Sequence, residues 1–199
     1  MDSSSNSGDA VNEDERARFK HVVVPHLHDA FAMARWLAGS ASDAEDIVQE
    51  ACMRAYRGIR GFRGDNPRAW VMKIVRNTAF TWIKKHRDPT LLSMENFEER
   101  GEGQSLESMD PMTPETALIE QADAARLESA IAGLPPLFRE TLVLRELQGF
   151  DYRAIGEITG VPIGTVMSRL ARARRHLMLA LGTQENEQES KERKMSKIK

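Results

Sequence analysis

The sequence predicts an all-α protein: two small helical domains joined by a flexible acidic linker, the C-terminal one carrying a helix-turn-helix. Three observations carry that reading. Apolar residues recur at three- and four-residue spacing in stretch after stretch, and no stretch alternates as a strand would. Charge is laid out in blocks, eight Lys/Arg between Arg60 and Arg87 with Asp65 inside and Asp88 just beyond, then ten acids against two arginines from Pro89 to Glu128. The third observation is the run Tyr152–His176, where two helical patterns meet at Gly160-Val161.

Residues 1–15 lack apolar periodicity and are expected to be a disordered tail. A first helix is expected over Arg16–Leu37, bent near Pro25 and ended by Gly39-Ser40. Ser42 or Asp43 is placed to cap the second helix, with Glu45 and Asp46 favourable in its first turn. Ala44, Ile47, Val48, Ala51, Cys52 and Ala55 form its apolar stripe. Gly58, Gly61, Gly64 and Pro67 break the pattern into a loop. A third helix follows over about Arg68–His86, with Trp70, Val71, Ile74, Val75, Thr78 and Trp82 facing the core. Asp88-Pro89 stops it, and residues 89–114 read as the linker, completing a first domain over 16–88.

The second domain is expected over 115–182. Helical patterns run over 115–132, Leu137–Leu147, Tyr152–Thr159 and from Pro162 to Gly182, with Asp151 a good N-cap and Pro162 well placed at a helix start. Residues 183–199 read as a polar tail.

Bulk properties bound the function. Of 199 residues, 41% are apolar, enough for packed cores, yet no apolar run approaches the roughly 18 residues that span a bilayer. Residues 1–12 are Ser-rich and acidic with no basic-then-apolar order, so no signal peptide is expected. The single cysteine, Cys52, excludes an internal disulfide. Together these predict a soluble protein of a reducing compartment. The net charge of −2 is uninformative; two basic blocks separated by an acidic one suggest two surfaces for a polyanion and a connector that avoids it.

Within Tyr152–His176, Ala154, Ile155 and Ile158 face inward from the first helix, Gly160 allows the sharp turn, and Val166 and Leu170 pack the second helix back. That arrangement would leave Thr165, Ser168, Arg169 and Arg172 outward, as a helix entering the DNA major groove requires. Arginine reads guanine edges or holds phosphates, and short hydroxyls reach either. Pro162–Leu181 holds four arginines, one histidine and no acid. The bland reading is a basic surface helix in an unrelated bundle.

Lys73, Asn77, Thr81 and Lys84 share one polar stripe of the third helix, with Arg76 beside it. Phe62-Arg63-Gly64-Asp65-Asn66 in front of it offers an aromatic, a cation and hydrogen-bonding groups, suited to an unstacked base. A solvated basic face preceded by a turn explains the composition equally well.

Four blocks in order carry a resemblance: Asp43-Ala-Glu-Asp-Ile-Val-Gln-Glu-Ala51, Phe62-Arg-Gly-Asp65, Trp70 through Asn77-Thr-Ala79, and Gly164-Thr-Val-Met-Ser-Arg169. From residue 16 to 182 the chain resembles the sigma-70 family, and its two-domain layout the extracytoplasmic-function (ECF) group. The resemblance implies a cytoplasmic transcription-initiation factor, not an enzyme, with no cofactor, no metal and no membrane insertion. It implies that Asp46, Gln49, Glu50 and Met53 dock on core RNA polymerase at the β′ clamp helices. It implies that Phe62, Arg63, Asp65 and Asn66 capture a flipped base of the melted non-template strand at the −10 element, with Lys73, Arg76, Asn77 and Lys84 holding adjacent DNA. It implies that Thr165, Ser168, Arg169 and Arg172 read duplex DNA at −35, and that an anti-sigma factor is a further partner. Met167 and Ala171 depart from the residues common in the recognition helix, which bears on the −35 sequence and not on the fold.

The alternative is a conventional helix-turn-helix regulator that acts without replacing the sigma subunit. It fits less well, because the N-terminal half carries its own basic and acidic helices. An antagonist or mimic would need a partner-binding domain that the sequence does not display. His21, His26 and His28 are broken from helical spacing by Pro25, with no motif completing a metal shell. Cys52 lies on an apolar stripe and reads as core. No phosphate loop or nucleophile motif is present.

Overall fold

The structure, a computed structural model, describes residues 5–86 and 116–196, and every regular element among them is helical. The linker expected over 89–114 lies outside the described residues.

The first unit holds α1 (Ser5–Val22), α2 (Leu27–Ala38), α3 (Ala41–Gly58) and α4 (Pro67–His86). Pro25 does what its missing N–H dictates: the chain leaves α1, makes a 3-10 turn over Val24–His26 and restarts at Leu27. Gly39, at φ +79°, closes α2 in the left-handed region that a side chain resists. The cap of α3 is Ser40, whose Oγ accepts from the Asp43 amide at 3.1 Å. This corrects the expectation of Ser42 or Asp43, which lie inside the first turn. Ala30, Met33, Ala34 and Leu37 of α2 meet Ala44, Ile47, Ala51 and Ala55 of α3 and Val71, Met72, Val75 and Ala79 of α4 in one core. The alanines allow the three helices to approach closely. Each large apolar side chain buried there contributes roughly 1.5–3 kcal/mol.

The second unit holds α5 (Thr116–Ala132), α6 (Pro136–Leu142), α7 (Tyr152–Thr159) and α8 (Ile163–Ser196). The pattern read as one helix over Leu137–Leu147 ends in a wider turn, Val143–Leu147, closed by the Gln148 amide on the Val143 carbonyl at 3.0 Å. Phe138 and Leu142 of α6 pack with Ile131, Leu134 and Ala173.

Both ends differ from expectation. Helix begins at Ser5, within the stretch read as a tail, and the later part of α1 is docked: Glu15 pairs with Arg60, and the Phe19 ring meets Tyr56 edge-on at 5.6 Å. α8 continues past Gly182 to Ser196. Glycine inside a helix weakens it by about 1 kcal/mol without ending it.

The two units pack together. Leu144, Phe150, Ile155, Ile158, Val166 and Leu170 belong to the same continuous core as the first unit. No helix among the described residues is long and apolar enough to cross a membrane.

Candidate nucleic-acid interface

The helix-turn-helix is built by local chemistry. The Asp151 carboxylate accepts from the Ala154 amide at 2.7 Å and starts α7. Gly160, at φ +73°, ends it and turns the chain. Gly156 provides the close approach: a Cβ there would stand 3.0 Å from the Val161 carbonyl oxygen. Ile155 and Ile158 of α7 and Val166 and Leu170 of α8 are buried, as their spacing predicts. On the outer side of α8, Ile163, Met167, Ser168, Ala171 and Arg172 are exposed, and Thr165 is half-buried. The Ser168 hydroxyl donates to the Thr165 carbonyl at 3.0 Å, leaving its oxygen free to accept.

Arg169 departs from the expected outward face. It is 9% exposed and turns inward, its guanidinium 3.3 Å from Glu140 Oε1. The i, i+3 spacing from Val166 places it on the packed side, one residue before Leu170. Burial pulls its pKa down, opposed by the Glu140 carboxylate.

On α4, Lys73, Asn77, Thr81 and Lys84 form the expected exposed stripe. Arg76 lies beside it but is engaged: Nε donates to Glu140 Oε2 at 2.7 Å and a terminal nitrogen to Oε1 at 3.2 Å. The loop before α4 is anchored at both ends. Phe62 is 8% exposed and its ring lies 4.9 Å from that of Trp70, so it serves the core here and does not offer the open stacking face expected of it. The Asn66 side chain accepts from the Ala69 amide at 2.9 Å and caps α4. Arg63, Gly64, Asp65 and Asn66 are solvent-exposed.

The acidic helix has the predicted form. Asp46, Gln49 and Met53 are exposed and Glu50 is half-exposed, on one i, i+3, i+4, i+7 face of α3. Glu50 accepts from Arg54 Nε at 2.7 Å. Cys52 is half-buried among Val23, Leu27, Val48 and Ile74.

Three residues that organise this arrangement escaped the sequence reading. Glu140 is fully buried yet carries two arginine partners. Burial pushes its pKa up, and Arg76 and Arg169 oppose that shift. Arg139 donates to the Trp36 carbonyl of α2 at 3.0 Å, to the Leu134 carbonyl at 2.8 Å and to the Ala132 carbonyl, thereby satisfying the end of α5. Arg18 of α1 donates to the Phe62 carbonyl at 2.5 Å and pins the loop. The only clue was an Arg-Glu pair inside the apolar run Leu137–Leu142, where two charges need partners.

The helix-turn-helix in one unit is exposed on its outer face, and the other unit exposes a basic face on α4 and an acidic one on α3. Residues 22–88 match the family model for Sigma-70 region 2, and residues 124–177 that for Sigma-70, region 4. The chain belongs to the sigma-70 family. It is 32% identical over 178 residues to the RNA polymerase sigma-H factor of Pseudomonas aeruginosa, covering 86% of this chain and 90% of that one. It is 32% identical over 171 residues to the ECF RNA polymerase sigma-E factor of Escherichia coli K12, covering 82% and 86%. Among solved structures it resembles the sigma factor RpoE of Bartonella quintana in complex with the anti-sigma factor NepR, at a TM-score of 0.64 and 27% identity over 82% of this chain and 96% of that one. This is an ECF-type sigma factor, a protein that directs RNA polymerase to promoters and not an enzyme. The reading as a conventional regulator is thereby set aside.

Proposed function

We propose that this sigma factor works in the cytoplasm with residues 16–88 as its polymerase-docking and −10 unit and residues 115–182 as its −35 unit. Asp46, Gln49, Glu50 and Met53 meet a basic surface of core RNA polymerase, the β′ clamp helices. Thr165, Ser168 and Arg172 enter the major groove at −35, with Arg169 behind them bracing the helix. Lys73, Asn77 and Lys84 hold DNA at −10, joined by Arg76 once it leaves Glu140. Arg63, Asp65 and Asn66 contact an unpaired base of the non-template strand, with Phe62 fixing the loop beneath them. Each base or phosphate held in the single-stranded form favours melting by the free energy of its contact.

The observation that carries this reading is the simultaneous exposure of the α4 stripe and of the outer face of α8, each adjoining a basic block, one in the unit that matches Sigma-70 region 2 and the other in the unit that matches region 4. An anti-sigma factor is a further expected partner, since the similar Bartonella quintana protein is seen with one. The test is reconstitution: core enzyme, the purified chain and genomic promoter fragments. Transcripts that depend on the chain are expected, with start sites that reveal the elements. Specific duplex binding with no polymerase dependence would overturn the reading.

A further inference from the structure

The outer side of α8 carries two adjoining rows of side chains. Thr165, Ser168 and Arg172, spaced i, i+3, i+7, form a polar row. Ile163, Met167 and Ala171, spaced i, i+4, i+8, form an apolar one. Ile163 is 48% exposed and Met167 54%, so packing within the chain leaves both side chains largely uncovered. Gly164 lies between the rows, and a Cβ there would meet nothing within 4 Å. Glycine weakens a helix, and the chain's own packing does not call for it here; what it allows is a close approach from outside.

A recognition helix enters the groove N-terminal end first, so its first two turns meet the base edges. Arg169 is the single cation in Ile163–Leu170, and it is turned inward onto Glu140. Asn and Gln, the residues that pair with adenine, do not occur in that stretch. The Ser168 hydroxyl proton is committed to the Thr165 carbonyl. What these turns chiefly offer a base edge is therefore apolar surface, and the apolar group displayed in the major groove is the thymine 5-methyl. The surroundings favour DNA over an apolar protein surface: Arg172 and Arg175 stand exposed beside the row, and Pro162–Leu181 contains no acid.

We propose that Met167, flanked by Ile163 and Ala171, is a specificity-determining residue that reads the methyl group of a thymine in the −35 element. This rests on the −35 assignment above. The row runs about 12 Å along the helix, at 1.5 Å per residue, with Met167 at its centre. Contact with the methyl buries apolar surface on both partners and needs no hydrogen bond, so it separates thymine from cytosine and from uracil, which lack that methyl.

The experiment uses holoenzyme reconstituted from core polymerase and the full-length chain, on a promoter whose −35 element has been located by scrambling it. Each thymine of the element is replaced in turn by deoxyuridine, which removes the methyl and leaves the base pair unchanged. Competition binding is measured for the wild type, Met167→Ala, Met167→Leu and Arg175→Ala. For the wild type, at least one replacement is expected to weaken binding about fourfold, the scale of burying one methyl group. Met167→Ala is expected to bind the thymine and deoxyuridine forms equally at that position, and Met167→Leu to keep the preference. Arg175→Ala is expected to weaken both forms alike and preserve their ratio. Met167 is exposed, so the melting temperature of Met167→Ala is expected to match the wild type. An element in which no thymine responds to loss of its methyl, or a response that survives Met167→Ala, overturns the proposal. Unchanged promoter binding by Met167→Ala, the result expected of a row that meets a protein instead of DNA, overturns it as well. Scrambling that changes nothing counts against the −35 assignment itself; an element that matters when scrambled but ignores deoxyuridine counts against Met167 alone.

Discussion

At the scale of single residues, the recognition helix separates two arginines that look equivalent in the sequence. Arg172 is exposed; Arg169 is buried against Glu140. Arg172→Ala is expected to weaken −35 binding by about 1–3 kcal/mol if it makes a bidentate base contact, with an unchanged melting curve. Arg169→Ala removes one of two partners from a buried carboxylate, so the expected loss of about 1–3 kcal/mol appears in stability. Urea melts and DNA titrations of both variants check the split; a stable Arg169→Ala with selectively lost −35 contacts would return Arg169 to the outer face. Cys52 offers a second test. Burial pushes its thiol pKa up by penalising the thiolate, so less thiolate is present at a given pH than on a free cysteine. Its alkylation by iodoacetamide is expected to rise at higher pH than that of a free thiol, read by mass spectrometry across a pH series.

At the scale of elements, the sequence is legible where local chemistry decides. Asp151, Gly160 and the Ile155/Ile158/Val166/Leu170 pattern give α7, its turn and the packed side of α8 with little help from the rest of the molecule. It is less legible where a remote partner decides. Ser40 caps α3 although Ser42 and Asp43 are equally good capping residues, because the turn at Gly39 sets where the helix begins. Phe62 looks like a base-stacking residue until Trp70 is seen against it. The two glycines of the helix-turn-helix test the local part. At Gly160 a Cβ meets nothing, so Gly160→Ala is opposed only by the left-handed backbone, at about 1–2 kcal/mol. At Gly156 a Cβ would press on the Val161 carbonyl, so Gly156→Ala must shift the turn that aims α8. Gly156→Ala is therefore expected to lose more −35 affinity than Gly160→Ala for a similar fall in melting temperature. Equal affinities would show that the turn absorbs the shift.

At the scale of the whole molecule, the contacts that escaped sequence reading are those between distant parts. Glu140 and Arg76, Arg139 and Trp36, and Arg18 and Phe62 are pairs that no periodicity brings together. What periodicity does fix is which face of each helix stays outside, and α3 provides the decisive case. Among the described residues, Asp46, Gln49, Glu50 and Met53 take no part in the bonds that join the two units, and the ion pair on this face, Glu50–Arg54, is solvent-exposed. Such a pair contributes roughly 0–1 kcal/mol. Replacing Asp46 and Glu50 with lysine is therefore expected to leave the fold nearly unchanged, lowering stability by at most about 1 kcal/mol, and to leave the packing of the two units intact. The same change sets two cations against a basic partner surface, and like charges at an interface cost several kcal/mol. Core-polymerase capture is expected to be lost while core-free binding to a −35 duplex persists, since α8 lies in the other unit. If the charge-reversed protein still captures core enzyme, polymerase docks elsewhere; if it also loses the −35 duplex, the two units do not act as separate surfaces.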